Sequence, residues 1–182
     1  HAGRRSGAEV ILCTVASNLK DSPPFGSLHR ADLSEAEKAK WDELYEQAVE
    51  RESAAEYKEA AELYLAAGRI DDSYADLAFR LGLCYWGMGQ YDNARASYVK
   101  ARELDTLRFR ADDRINGIIR EAASGGGDGV RLVDAVEVFA QNSPEGTPGE
   151  ELFYEHVHFN FKGTHLLARS VLSEIENALP AR

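Results

Sequence analysis

A period of 34 residues constrains this chain more than any other feature. Tyr57, Ala60, Tyr64, Ala67, Ile70 and Asp71 recur as Tyr91, Ala94, Tyr98, Ala101, Leu104 and Asp105. A repeat of that length is one helix–turn–helix unit, whose apolar face must be covered by the next unit. Small residues at Gly82, Ala94 and Ala101 let two helices approach closely, and Tyr85, Tyr91 and Tyr98 fill the space between neighbours.

The second copy, with Leu81-Gly82 followed by Tyr85, Gly89, Tyr91, Ala94, Tyr98 and Ala101, resembles the tetratricopeptide (TPR) pattern and departs from it at Thr106, where that family usually has proline. In the first copy only the second helix matches well, because Gln47, Ala48 and Arg51 replace Leu, Gly and Tyr. Its first helix is predicted from about Ser34 to Ser53. It has Trp41, Leu44, Tyr45 and Ala48 on one face, and Ser34 three positions before Glu37 makes a capping box. A further helix is predicted over Phe109 to Ala123, with Ile115, Ile118 and Ile119 as its apolar stripe. The stripe Tyr85, Trp86, Tyr91 and Tyr98 reads as packing core. Glu43, Glu46, Glu50, Glu52, Glu56 and Glu59 read as a solvated face, and Arg80, Asn93 and Lys100 are candidates for a peptide- or protein-binding surface on the repeats.

The flanks follow another rule. Val10 to Val15 is a short, continuous, β-branched apolar run, as expected of a buried parallel strand, and Val130 to Val133 is a second. The glycine-rich stretch from Ser124 to Gly129 reads as a helix-to-strand loop, Ala135 to Ala140 as a short helix, Pro144 to Gly149 as a turn, and Gly163 to Ala178 as a closing helix. A strand, a long helical excursion, then helix, strand, loop and helix suit an α/β domain interrupted by an insertion, since a parallel crossover tolerates elongation. The fold expected is an α/β remnant with few parallel strands, interrupted by a mainly α-helical solenoid and helix-dominated overall. The divisions are residues 1–31, 32–108 and 109–182.

The chemistry is concentrated in Glu155-His156-Val157-His158-Phe159-Asn160-Phe161-Lys162-Gly163. A carboxylate three positions before a histidine can hold the imidazole in one tautomer while the other ring nitrogen accepts a proton from a hydroxyl nucleophile. Other readings of these residues stay open. His158 could merely cap the last helix. His156 is a rival base, since in an extended segment it would share a face with His158, or it could simply bond to backbone. His156, His158, His165 and Glu155 could also ligate a metal, though they match no zinc-motif spacing.

The flanks resemble the C-terminal part of an SGNH (GDSL-type) hydrolase, a flavodoxin-like esterase family. Its third block is an Asn just after a strand, as in Ala16-Ser17-Asn18. Its fifth, Asp-x-x-His with Pro-Asn-x-x-Gly, reads here Glu155 to His158 and Phe159 to Gly163. The resemblance implies His158 as catalytic base, Glu155 as the acid that orients it and Asn18 as oxyanion donor, and it implies no cofactor. Two departures accompany it: Glu replaces Asp, and the block with the nucleophilic serine is missing, since Ser6, Ser17 and Ser22 lack the required strand-to-turn context. The chain is therefore expected to be part of an ester-cleaving enzyme, inactive alone. The alternative is a non-enzymatic scaffold that binds a peptide through its repeats. Asn18 can equally be a turn residue, and Pro23-Pro24-Phe25 with His29 either line a substrate entrance or only turn the chain.

A formal charge of −10, with no basic cluster, excludes a nucleic-acid backbone as partner. No apolar run reaches the length of a membrane span. Cys13 and Cys84 read as packed thiols, and the opening His1-Ala2-Gly3 reads as a cut end, which leaves cytoplasm and cell envelope both open. A severed α/β half is expected to expose strand edges and apolar faces, and so to self-associate.

Overall fold

The computed structural model describes residues 8–127 and 129–179. His1-Ala2-Gly3, Ser6 and Asp128 of the glycine-rich loop lie outside those residues. The chain is helix-dominated with a small parallel sheet. It divides into two compact units, one comprising the residues up to Asn18 together with those from Phe109 onward, the other Leu19–Arg108. The boundaries between the two units fall at 18/19 and 108/109.

The helical unit contains α1 (Glu35–Ser53), α2 (Tyr57–Gly68), α3 (Ala75–Gly87) and α4 (Tyr91–Leu104), each packed on the next. The capping box opens α1. Ser34 Oγ accepts the Glu37 N–H at 3.3 Å and the Glu37 carboxylate accepts the Ser34 N–H at 2.9 Å. Periodic small residues do what the repeat requires: Gly82 lies under Tyr98, whose ring is 2.7 Å from where a Cβ would be. Ala48, Ala60, Ala67, Ala94 and Ala101 are buried, as are Trp41, Tyr64 and Tyr98.

The repeat also uses a polar pair. Asp71 and Asp105, 34 residues apart, are both buried. The Asp105 carboxylate accepts N–H groups of Phe25, Gly26 and Leu107 at 3.0–3.1 Å. Asp71 accepts the N–H of Arg30 at 3.2 Å and faces His29 Nδ1 at 2.7 Å. Residues 25–30 are thereby bound to the helices, because each carboxylate satisfies loop N–H groups that would otherwise lie unpaired. One member of the expected acidic face departs from it. Glu52 turns inward and accepts from Tyr64 Oη at 2.6 Å and from Arg80 at 3.1 Å.

The other unit contains β1 (Val10–Cys13), α5 (Asp113–Ser124), β2 (Val130–Val133), α6 (Ala135–Gln141), a 3₁₀ turn (Pro144–Gly146) and α7 (Phe161–Ala178). β1 and β2 pair in parallel, Val10 opposite Val130 and Cys13 opposite Val133. Among the described residues the sheet has only these two strands, so each has one unpaired edge. This is why β1 is half-buried and not the buried strand its composition suggests. A compact core joins Ala16, Ala135, Phe139, Leu152 and Phe153, with the rings of Phe139, Phe153 and Phe159 packed at tilted angles with centroids 4.8–5.5 Å apart.

α5 differs from its expected form. It begins at Asp113, capped by Asp112, whose carboxylate accepts the Ile115 N–H at 2.8 Å. Its apolar stripe is only partly covered, Ile115 being 47% and Ile118 56% exposed and Ile119 half-buried, while the buried Asn116 turns toward the end of β1. No helix among the described residues is long and apolar enough to cross a membrane.

Candidate functional site

The C-terminal ends of β1 and β2 are where a parallel sheet offers main-chain groups to a ligand, and here they are held by side-chain clamps. Thr14 continues the ladder, its N–H bonding to Val133 O at 3.1 Å. Beyond it the Asn116 amide stands in for a missing strand: its Oδ1 accepts the Val15 N–H at 2.7 Å and its Nδ2 donates to Val15 O at 3.2 Å. The Thr14 hydroxyl donates to Asp134 at 2.9 Å and accepts the Val136 N–H at 3.0 Å, fixing the start of α6 against β1. Arg120 closes on Asp134 at 2.6 and 3.0 Å. Arg120, with the Thr14 hydroxyl, holds the Asp134 carboxyl below its ordinary range against the effect of burial.

Asn18 follows on this rim and is 2% exposed. Its N–H donates to His156 O at 3.0 Å, and its carbonyl accepts from Arg110 Nη1 at 3.1 Å. The main chain of Asn18 is therefore fixed on both sides, and the loop bearing the histidines is tied directly to the segment that follows β1.

That loop is a tight turn and not an extended segment. Phe153 and Phe159 form an antiparallel bridge, and Tyr154 N–H donates to His158 O at 2.8 Å, so residues 154–158 are pinched at their base. Phe153 and Phe159 enter the core while His158, its side chain 80% exposed, points to solvent, as alternation across a paired strand requires. Glu155 folds back inside the turn. Its Oε1 accepts the His158 N–H at 2.6 Å, lies 2.5 Å from His158 Nδ1, and takes the Val157 N–H at 3.4 Å. Its Oε2 contacts His156 Nδ1. The extra methylene of Glu over Asp is what lets the carboxylate reach back to these groups. Loss of solvent opposes ionisation, but the His158 N–H and ring, the Val157 N–H and the adjacent His156 outweigh it and hold the Glu155 carboxyl down to about 2 from its ordinary 4.5.

An ionised carboxylate only accepts, so each histidine Nδ1 that faces it is the donor, and in the neutral imidazole Nε2 is the nitrogen left bare. For the exposed His158 this is the form a general base needs. The simpler role of helix cap belongs elsewhere: Asn160 Oδ1 accepts the Gly163 N–H at 3.0 Å, and a Cβ on Gly163 would strike the Leu152 carbonyl. The metal arrangement is not assembled. His165 lies parallel to Phe161 at 6.4 Å, and no group of three His, Cys, Asp or Glu side chains among the described residues is gathered to hold an ion.

In the helical unit, the polar residues considered for peptide binding are engaged internally: Arg80 with Asp76 and Glu52, Lys100 with Asp72 at 2.6 Å, and Asn93 with Gln90 at 3.0 Å. Pro23, Pro24, Phe25 and His29 belong to the helical unit.

Sequence reasoning missed Arg110, Asn116, Thr14 and Asp134. A lone Asn inside an amphipathic pattern was the available signal for Asn116, and Asp134 before a helical stretch has the form of an N-cap. Comparison with family models, with curated proteins and with solved structures found no match to this chain.

Proposed function

We propose that this chain carries the oxyanion-donor and general-base part of an SGNH-type serine esterase, combined with a tetratricopeptide-like interaction module. In this reading a serine supplied by residues outside this sequence attacks an ester carbonyl, and Nε2 of His158 takes its proton. Glu155 steadies the imidazolium, and the Asn18 amide donates to the oxyanion. The observation that carries the reading is the Glu155–His158 pair at 2.5 Å, with His158 open to solvent, on a loop whose neighbouring carbonyl holds Asn18 at 3.0 Å.

An oxyanion donor contributes on the order of 3 kcal/mol, so loss of the Asn18 amide lowers kcat by roughly a hundredfold or more. The test is p-nitrophenyl acetate turnover by this chain and by a longer polypeptide that includes a strand followed by a Gly-Asp-Ser block. The expected result is no activity in the short form, and activity in the long form that His158→Ala and Asn18→Ala abolish or cut by that factor. Turnover by the short form, or long-form activity indifferent to His158→Ala, contradicts the proposal. The 34-residue repeat favours a second reading, a scaffold that binds a peptide, and this reading is left standing if the long form is inert.

A further inference from the structure

One carboxylate serves two imidazoles, and the two are placed differently. The His158 side chain is 80% exposed, whereas that of His156 is 23% exposed and its ring meets Phe109 edge-on at 6.1 Å. The rings are 6.4 Å apart and nearly perpendicular, at 83°, with Glu155 between them: His158 on Oε1 and His156 on Oε2.

A glutamate has three side-chain torsions, the last of them soft. Held through Oε1 alone, the carboxylate could turn about Cγ–Cδ and present either oxygen, or none, to His158. A donor on Oε2 removes that freedom, as partners of an active-site carboxylate do elsewhere. His156 acts on the other side as well, since its carbonyl is the acceptor for the Asn18 N–H at 3.0 Å. A single residue thus fixes the acid through its ring and the neighbouring strand end through its main chain.

We propose that His156 is the positioning residue of this site: by holding Oε2 of Glu155 it locks Oε1 against Nδ1 of His158, and so keeps His158 in the tautomer whose Nε2 can accept a proton. The inference rests on the reading of His158 as general base. It assigns His156 no contact with substrate.

The experiment uses the ¹⁵N-labelled chain itself, so no nucleophile is needed. Long-range ¹H–¹⁵N correlations at pH 8 report which ring nitrogen of each histidine carries the proton. In the parent, His156 and His158 are both expected in the Nδ1–H form. His156→Leu keeps bulk and the main-chain bond to Asn18 but removes the donor, so the Nε2–H form of His158 is expected to rise to a readily measured fraction. His156→Asn, whose amide N–H lies where Nδ1 was, is expected to reverse the change. A His158 that stays wholly Nδ1–H in His156→Leu overturns the positioning role and leaves the Glu155–His158 pair intact. A parent in which His156 is Nε2–H overturns it without any variant, which covers the case of a variant that does not fold. A parent in which His158 itself is Nε2–H overturns the general-base reading, and the positioning role with it. In a serine-bearing polypeptide His156→Leu is expected to lower kcat about tenfold at constant KM, the signature of lost orientation.

Discussion

The two units solve the same problem, covering main chain and apolar surface, by opposite means. The helical unit relies on shape: small residues at 34-residue intervals receive the tyrosines, and Gly82 under Tyr98 is the tightest example. The sheet unit, with two four-residue strands among the described residues, pairs the main chain beyond them with side chains, Asn116 at Val15, Arg110 at Asn18, Thr14 and Asp134 at the start of α6. Shape-based packing fails through cavities, and clamp-based packing fails through stranded polar groups. The two failures differ in size and in what they disturb.

The largest effect is expected from Tyr98→Ala, which empties the space over Gly82 and should cost the helical unit about 3–5 kcal/mol, read as a shift in the urea midpoint of its helical signal. Next is Asn116→Ala in the sheet unit. It strands both the N–H and the carbonyl of Val15, for a loss of about 2–3 kcal/mol, and selectively raises amide exchange at Val15.

A finer contrast lies within the repeat. Tyr64 Oη donates to Glu52 at 2.6 Å, whereas the buried Tyr98 Oη has no hydrogen-bond partner among the described residues. Tyr64→Phe should therefore cost about 1.5–3 kcal/mol, and Tyr98→Phe should be neutral or slightly stabilising in the same denaturation series. Equal costs at the two positions would mean that the Tyr64–Glu52 bond adds nothing to the shape-based packing of the repeat.

The smallest effect is local. The Glu155 carboxyl is held at about 2 when folded, below its ordinary 4.5, so what it contributes to the 154–158 turn is present above pH 4.5 and fades as the pH falls toward 2. The amide signals of Val157 and His158 should move through that window while those of the helical unit stay in place. Glu155→Gln should show the disturbed turn already at neutral pH.

The same division decides what could be read from sequence. Periodicity exposes Ala60 with Ala94 and Tyr64 with Tyr98 because shape-based packing repeats with the chain. It also marks Asp71 with Asp105, yet nothing in the period tells that these carboxylates bind residues 25–30. Ser34 and Glu37 show their cap because its rule is local. Asn116 and Arg110 act on residues about a hundred and about ninety positions away, and no local pattern records that. The Ile115–Ile118 stripe misleads because amphipathic spacing marks a face that could be buried without showing that it is. At the site, the spacing of Glu155 and His158 is legible because three residues span one turn. The sharing of Glu155 with His156 is not, because it depends on the pinch at Phe153 and Phe159.

The shared site depends most on the junction between the segment that follows β1 and the histidine loop. Scalar coupling across the hydrogen bond from Asn18 nitrogen to the His156 carbonyl carbon, measured on ¹³C,¹⁵N-labelled chain, reports that junction directly. A detectable coupling together with slow exchange of the Asn18 amide is the result expected here. No coupling, with an Asn18 amide that exchanges as fast as an exposed loop, would separate residue 18 from the Glu155–His158 pair and contradict the shared site.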